Sequence, residues 1–278
     1  MGEPDELGRI AVDEVDVDAV LAVRHGAVTV LTLNRPARRN ACTFPMLNRY
    51  FDLLDDADAD ESVRAIVVTG ADGHFCAGMD ADSLSTGIAK GIARRPGKDR
   101  RMTHPMNIRK PIIAAINGST AGFGLVMALT CDIRFAGEES VFTTSFVRRG
   151  LNGEYAATWL LPRVVGLTRA TELLFSARKF DAAEAERIGM LNWVTPTHET
   201  LDRAVAYAID LAENCSPVSI AATKQQLESD WLRTREESEM FSKVIGFRGT
   251  NRQDFGEGVK SFVEKRRPSF GPLRPDQP

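Results

Sequence analysis

The chain has 278 residues and a mass of 30.5 kDa, with 43% hydrophobic residues, enough for one sizeable core and a smaller appended region. Lys and Arg number 35 against 38 Asp and Glu, a net charge of −3, so no global field favours nucleic acid or an anionic membrane, and an anionic ligand has to be met by a local cluster. No apolar run approaches the roughly 18 residues that span a bilayer, and Met1-Gly2-Glu3-Pro4-Asp5-Glu6 is acidic where a signal or transit peptide is basic, so a cytoplasmic protein is expected.

Residues 1–17 are acidic and poor in aromatics and are read as a flexible extension. Val20 to Val23 and Val28 to Leu33 form a hairpin turning at His25-Gly26. Leu47, Tyr50, Phe51 and Leu54 give the next helix one apolar face. Strands follow over Ile66–Thr69 and Ile112–Ile116, then a helix over Leu125–Leu129 and a strand over Ile133–Ala136. This strand, strand, helix rhythm suits a spiral of ββα turns. Asp181-Ala182-Ala183-Glu184 resembles a capping box, with Gly189 past the end of the same short helix. A final strand over Leu191–Val194 closes the core, assigned to residues 18–200. Residues 201–278 read as helical: about 201–214, a helix opened by Pro217, and two more before Pro268. The last carries a stripe of Phe255, Val259, Phe262 and Val263 that needs something to pack on.

Cys42, Cys76, Cys131 and Cys215 are scattered without Cys-x-x-Cys spacing or adjacent histidines, so they are read as reduced and structural, with no metal site. His25, His74, His104 and His198 sit in turn-like settings.

Two glycine-bearing turns carry the chemistry. Asn117-Gly118-Ser119-Thr120-Ala121-Gly122-Phe123-Gly124 runs from a strand into a helix, and Phe75-Cys76-Ala77-Gly78-Met79-Asp80 follows a strand upstream. Each turn can supply one backbone N–H to a single oxygen, which is an oxyanion hole for an enolate or a tetrahedral oxyanion.

Together with Leu33-Asn34-Arg35-Pro36, Asn40-Ala41, Lys110-Pro111-Ile112-Ile113-Ala114-Ala115-Ile116-Asn117-Gly118, Cys131-Asp132-Ile133-Arg134 and Phe262-Val263-Glu264-Lys265-Arg266, these turns resemble the crotonase, or enoyl-CoA hydratase/isomerase, superfamily over nearly the whole chain after residue 18. The resemblance implies an α/β spiral of ββα turns whose C-terminal helices pack subunits into trimers, often paired into hexamers. It implies an acyl-CoA substrate, with coenzyme A entering as part of the substrate rather than as a cofactor. Matched residue by residue, the oxyanion amides fall on Ala77 and Phe123, flanked by Gly78, Met79, Asp80 and Gly122. Arg35 and Arg38 fall at the adenosine end, with Arg39 beside them. Phe262 and Lys265 fall where a neighbouring subunit reaches the CoA. Asp80 matches a turn residue, Asp82 is a further polar candidate, and the basic run Arg94 to Arg101 reads as a mostly solvated segment.

Hydratases of the superfamily hold water between two glutamates, and the matching positions here are Val126 and Phe146, neither of which transfers a proton. Gly150-Leu151-Asn152-Gly153-Glu154-Tyr155 instead resembles the segment of peroxisomal-type enoyl-CoA isomerases whose glutamate, matched by Glu154, is the single base. The expected reaction moves a β,γ double bond to α,β. The alternatives are a hydratase with an unusual water-holding set and a CoA-binding member without the chemistry.

Overall fold

The computed structural model describes residues 16–81, 100–249, 252–275 and 277. The N-terminal extension up to residue 15, Asp82 and the basic run as far as residue 99 lie outside them.

The chain opens with β1 (Val20–His25) and β2 (Val28–Leu33), paired antiparallel across a two-residue loop in which Gly26 takes φ +61°. Helix α1 (Phe44–Ala59) starts at Thr43, whose side chain accepts the Met46 N–H, and buries Leu47, Tyr50, Phe51 and Leu54 as their spacing predicts. Strands β3 (Ala65–Gly70), β5 (Ile112–Ile116), β7 (Ile133–Gly137) and β10 (Trp193–Thr195) extend the hairpin in parallel, giving the order β1-β2-β3-β5-β7-β10.

A second sheet, β4-β6-β8-β9, is made of β4 (His74–Cys76), β6 (Ser119–Ala121), β8 (Val141–Thr143) and β9 (Phe180–Asp181). The chain passes from β3 to β4, β5 to β6 and β7 to β8, stepping from the large sheet to the small one each time. This is the expected spiral. Strands of two or three residues carry no readable alternation, which is why only the long member of each pair was legible.

Both faces of the large sheet are covered, so its strands read as unbroken apolar runs. Ile66, Val68, Ile112, Ala114 and Ile116 face the main core, shared with α1, while Val67, Ile113 and Ala115 face a second layer. That layer is α6 (Thr200–Asn214), which lays Ala204, Ala208 and Ala212, spaced at i+4, against the sheet. The helix beginning near residue 201 therefore belongs to the core, and the appended helical region starts after it.

Three other helices lead toward the site: α2 (Phe123–Leu129), α3 (Ala157–Val165) and α4 (Leu167–Ser176). The last two escape a reading by periodicity because α3 lacks a side-chain cap, contains Pro162 and is parted from α4 by Gly166 alone. In α5 (Ala182–Arg187) the capping box is half formed: Asp181 accepts the Glu184 N–H at 2.8 Å, but the Glu184 carboxylate turns to Arg178 at 2.6 Å. The final strand lies over Trp193–Thr195, later than expected, because Met190 and Leu191 are drawn into the core.

The appended region is α7 (Pro217–Asp230), α8 (Arg235–Gly249) and α9 (Arg252–Glu264). On α9, Phe255, Val259 and Phe262 are 71%, 51% and 85% exposed. No described helix is long and apolar enough to cross a membrane.

Candidate active site

The first turn is fixed almost entirely by its backbone. The Cys42 N–H donates to the Gly78 carbonyl at 2.7 Å, and the Asp80 N–H donates to the Cys42 carbonyl at 2.8 Å. Arg35 adds an ion pair to Asp80 at 3.1 Å and donates to the Ala41 carbonyl, so this guanidinium braces the turn from inside the chain. Asn40, wholly buried, accepts the Arg35 N–H at 2.9 Å and donates to the carbonyls of Ala71 and His74 at 2.9 and 2.6 Å. Its φ of 55° is left-handed, a conformation asparagine tolerates better than most residues.

Ala77 does not offer its amide to a ligand. Its N–H donates to the Arg39 carbonyl at 3.0 Å, and the Gly78 N–H donates to the Cys76 sulfur at 3.4 Å. Among residues 77–80, Met79 is left as the one whose amide donates no hydrogen bond among the described residues. This corrects the assignment of Ala77. Gly78 has φ +107°, which reorients the chain so that the next amide emerges from the turn. The sequence signal was the glycine itself: the unspent amide follows it rather than preceding it.

The second turn supplies Phe123, the first residue of α2, whose N–H likewise has no partner among the described residues. Gly122 before it takes φ +52° and donates to the Thr143 carbonyl. The turns touch. A Cβ added to Gly78 would lie 3.7 Å from the Phe123 nitrogen, and one added to Gly124 would lie 2.2 Å from the Cys76 carbonyl oxygen. Two unspent amides on adjoining turns, at the start of a helix, can receive one developing negative charge.

Around them the walls are apolar. Val126 and Phe146 are 1% and 5% exposed and belong to the same core cluster as Phe123. The Phe123 ring meets Tyr155 edge-on, with centroids 5.1 Å apart and planes at 76°. Glu154, next to Tyr155, is partly exposed, and its carboxylate has no hydrogen bond or ion pair among the described residues. Tyr155 and Ala156 follow it with φ of 56° and 63°, left-handed residues that each cost roughly 1–3 kcal/mol.

Cys42 and Cys76 are free thiols 3.6 Å apart directly behind the first turn, a pair that scattered spacing in the sequence concealed. The hydrogen bond between them and burial push the Cys42 thiol up; the same bond holds Cys76 below the usual thiol range. Arg38 and Arg39 are exposed beyond this turn, and Lys265 is exposed past the end of α9 with φ 53°. Phe262 shares that exposed face, so neither it nor Lys265 is buried against the core of its own chain. A separate cavity of about 530 Å³ opens at the C-terminal end of α2 between Leu129, Cys131, Leu227 and Trp231, and it contains none of the turn residues.

A two-sheet α/β spiral with two unspent amides on adjoining turns beside apolar walls has the form of an oxyanion-hole enzyme scaffold. The chain belongs to the enoyl-CoA hydratase/isomerase family, which matches residues 24–272. It is 38% identical over 248 residues to the enoyl-CoA hydratase ACTT3 of Alternaria alternata, covering 87% of this chain and 82% of the relative. It is 32% identical over 261 residues to the enoyl-CoA hydratase EchA19 of Mycobacterium tuberculosis, covering 90% and 95%. The crystal structure of a probable enoyl-CoA hydratase/isomerase from Mycobacterium abscessus superimposes with a TM-score of 0.83 at 32% identity, covering 91% of this chain and 99% of that one.

Proposed function

We propose that the chain is an acyl-CoA isomerase that moves a β,γ double bond to α,β, with Glu154 as its only base and the amides of Met79 and Phe123 as its oxyanion hole. Glu154 takes a proton from the α carbon, the two amides carry the negative charge of the dienolate on the thioester oxygen, and the same carboxyl returns the proton at the γ carbon. The single observation that supports this over hydration is the burial of Val126 and Phe146 in the apolar core where two water-holding glutamates would stand, while the Glu154 carboxylate, on the loop beside Phe123, has no partner among the described residues.

The hydratase names of the relatives favour a second reading, in which Glu154 holds the water for addition across an α,β double bond. Arg38 is the cation proposed for the CoA phosphates within the chain. Arg35 is given to Asp80, so its contribution there is through the turn. Lys265 is proposed to serve a neighbour's CoA in a trimer built on the exposed Phe255, Val259 and Phe262 face. Sedimentation as a stable monomer at micromolar concentration would remove that assembly.

Glu154→Gln keeps the shape and removes the proton-transfer group. Isomerisation of 3-hexenoyl-CoA is expected to fall by roughly 100-fold with KM nearly unchanged. Fast hydration of crotonyl-CoA by the parent protein, lost in Glu154→Gln, would establish the second reading instead.

A further inference from the structure

The loop that carries Glu154 is held by one short backbone turn and by side-chain packing rather than by a hydrogen-bond ladder. The amides of Asn152, Gly153, Glu154 and Ala156 donate no hydrogen bond among the described residues. On one side the chain is tied by the Leu151 N–H to the Phe146 carbonyl at 3.1 Å. On the other it enters α3, where the Trp159 ring packs against Trp231 at 4.7 Å and the Arg163 guanidinium lies 4.2 Å above Trp159. Between these anchors, Tyr155 and Ala156 take left-handed φ values that neither side chain favours. A strained conformation persists only where its surroundings over-determine it; here the Ala157 N–H closes a turn on the Glu154 carbonyl at 3.0 Å, and the Tyr155 ring stands edge-on against Phe123.

From this we infer that Tyr155 is a positioning residue, its ring braced on Phe123 so that the loop projects the neighbouring Glu154 toward the acyl carbon whose enolate the Phe123 amide stabilises. One residue, Phe123, then serves both halves of the chemistry, with its backbone at the oxyanion and its ring beneath the base. The inference rests on Glu154 being the base.

The test is a set of variants in two backgrounds, read by isomerisation of 3-hexenoyl-CoA and by α-hydrogen exchange of butyryl-CoA in D2O, with melting temperature as the check on folding. Tyr155→Phe retains the ring and should stay within about twofold of the parent. Tyr155→Asn tolerates the left-handed backbone but removes the ring, and kcat should drop about tenfold or more while KM moves by less than about threefold. In a Glu154→Gln background the same Tyr155→Asn change should add no more than about twofold, because a residue that acts through Glu154 has nothing left to position. Phe123→Leu, which keeps the amide and shortens the brace, should repeat that pattern if Tyr155→Asn does not fold.

Three results would overturn the inference with the base intact: Tyr155→Asn at the parent rate, Tyr155→Phe as slow as Tyr155→Asn, or a tenfold loss that persists in the Glu154→Gln background. If Glu154→Gln itself leaves both rates unchanged, it is the reading of Glu154 that fails, and the positioning role falls with it.

Discussion

The turn over residues 76–80 leaves the Met79 amide without a partner among the described residues, the loop over residues 150–156 does the same for the Glu154 carboxylate, and the two segments are held by different forces. In the turn, the amides of Ala77, Gly78 and Asp80 are spent on Arg39, Cys76 and Cys42, with Asn40 and the Arg35–Asp80 pair locking the frame. In the loop, the Glu154 carbonyl accepts the Ala157 N–H across two left-handed residues, and the Tyr155 ring stands against Phe123. An oxyanion donor works only if it is already in place when charge develops, so rigidity there lowers the barrier directly. A base that must reach two carbons of one substrate gains from a mount that yields. The contrast predicts that damage to the backbone packing of the turn appears in both stability and rate, and damage to the loop mostly in rate.

The largest effect is expected where the two turns meet. Any side chain at Gly124 collides with backbone: its Cβ would stand 2.2 Å from the Cys76 carbonyl oxygen and 2.9 Å from the Cys76 carbonyl carbon. No rotamer relieves that contact, so α2 has to withdraw from the first turn and the Phe123 and Met79 amides separate. Gly124→Ala should therefore lower kcat by roughly 10²–10³-fold, the loss seen when one oxyanion donor is removed, and destabilise the fold by roughly 1–3 kcal/mol. Steady-state kinetics with urea unfolding measures both. A Gly124→Ala protein of ordinary activity would mean that the turns need not touch.

Asn40 tests whether the frame behind the turn is a stability element. Asn40→Ala removes the side-chain donor to the part-buried carbonyls of Ala71 and His74 and the acceptor of the Arg35 amide, and it places alanine at φ 55°. Unmade buried hydrogen bonds cost about 1–3 kcal/mol each, and partial access of water reduces the sum, so a loss of roughly 3 kcal/mol is expected. It should lower the urea midpoint with little change in m. Unchanged stability would place the rigidity of the turn elsewhere.

The long strands, the amphipathic α1 and the glycine turns were legible because each leaves a local pattern: unbroken apolar runs, i+3 and i+4 spacing, glycines at positive φ. The two unspent amides were legible as a pair of turns but not as particular residues. Ala77 and Met79 flank the same glycine, and only the partner of each N–H, Arg39 for one and nothing described for the other, separates them. That partner comes from a segment 38 residues earlier, so no spacing encodes it. The Cys42–Cys76 contact and the Phe123–Tyr155 contact are likewise products of tertiary packing, 34 and 32 positions apart in the chain.

The smallest expected effect concerns the sulfur behind the first turn, and it asks how finely the donor is aimed. The Cys76 sulfur accepts the Gly78 N–H at 3.4 Å and sits 3.6 Å from the Cys42 sulfur. Sulfur is a weak acceptor, so losing this bond should cost little stability. Its consequence is geometric: the peptide that carries the Met79 amide stays held through the Gly78 carbonyl by the Cys42 N–H, and losing the Gly78 N–H bond loosens only the preceding peptide, so the Met79 amide drifts slightly from its aim. Cys76→Ala should reduce kcat by about 3- to 10-fold with KM nearly constant, since an interaction made mainly in the transition state is the one weakened. Cys76→Ser restores an acceptor and should recover part of the loss, measured in the same assay. If Cys76→Ala keeps the full rate while Gly124→Ala does not, the two turns are aligned by the close approach of their backbones and the thiol pair only fills space behind them.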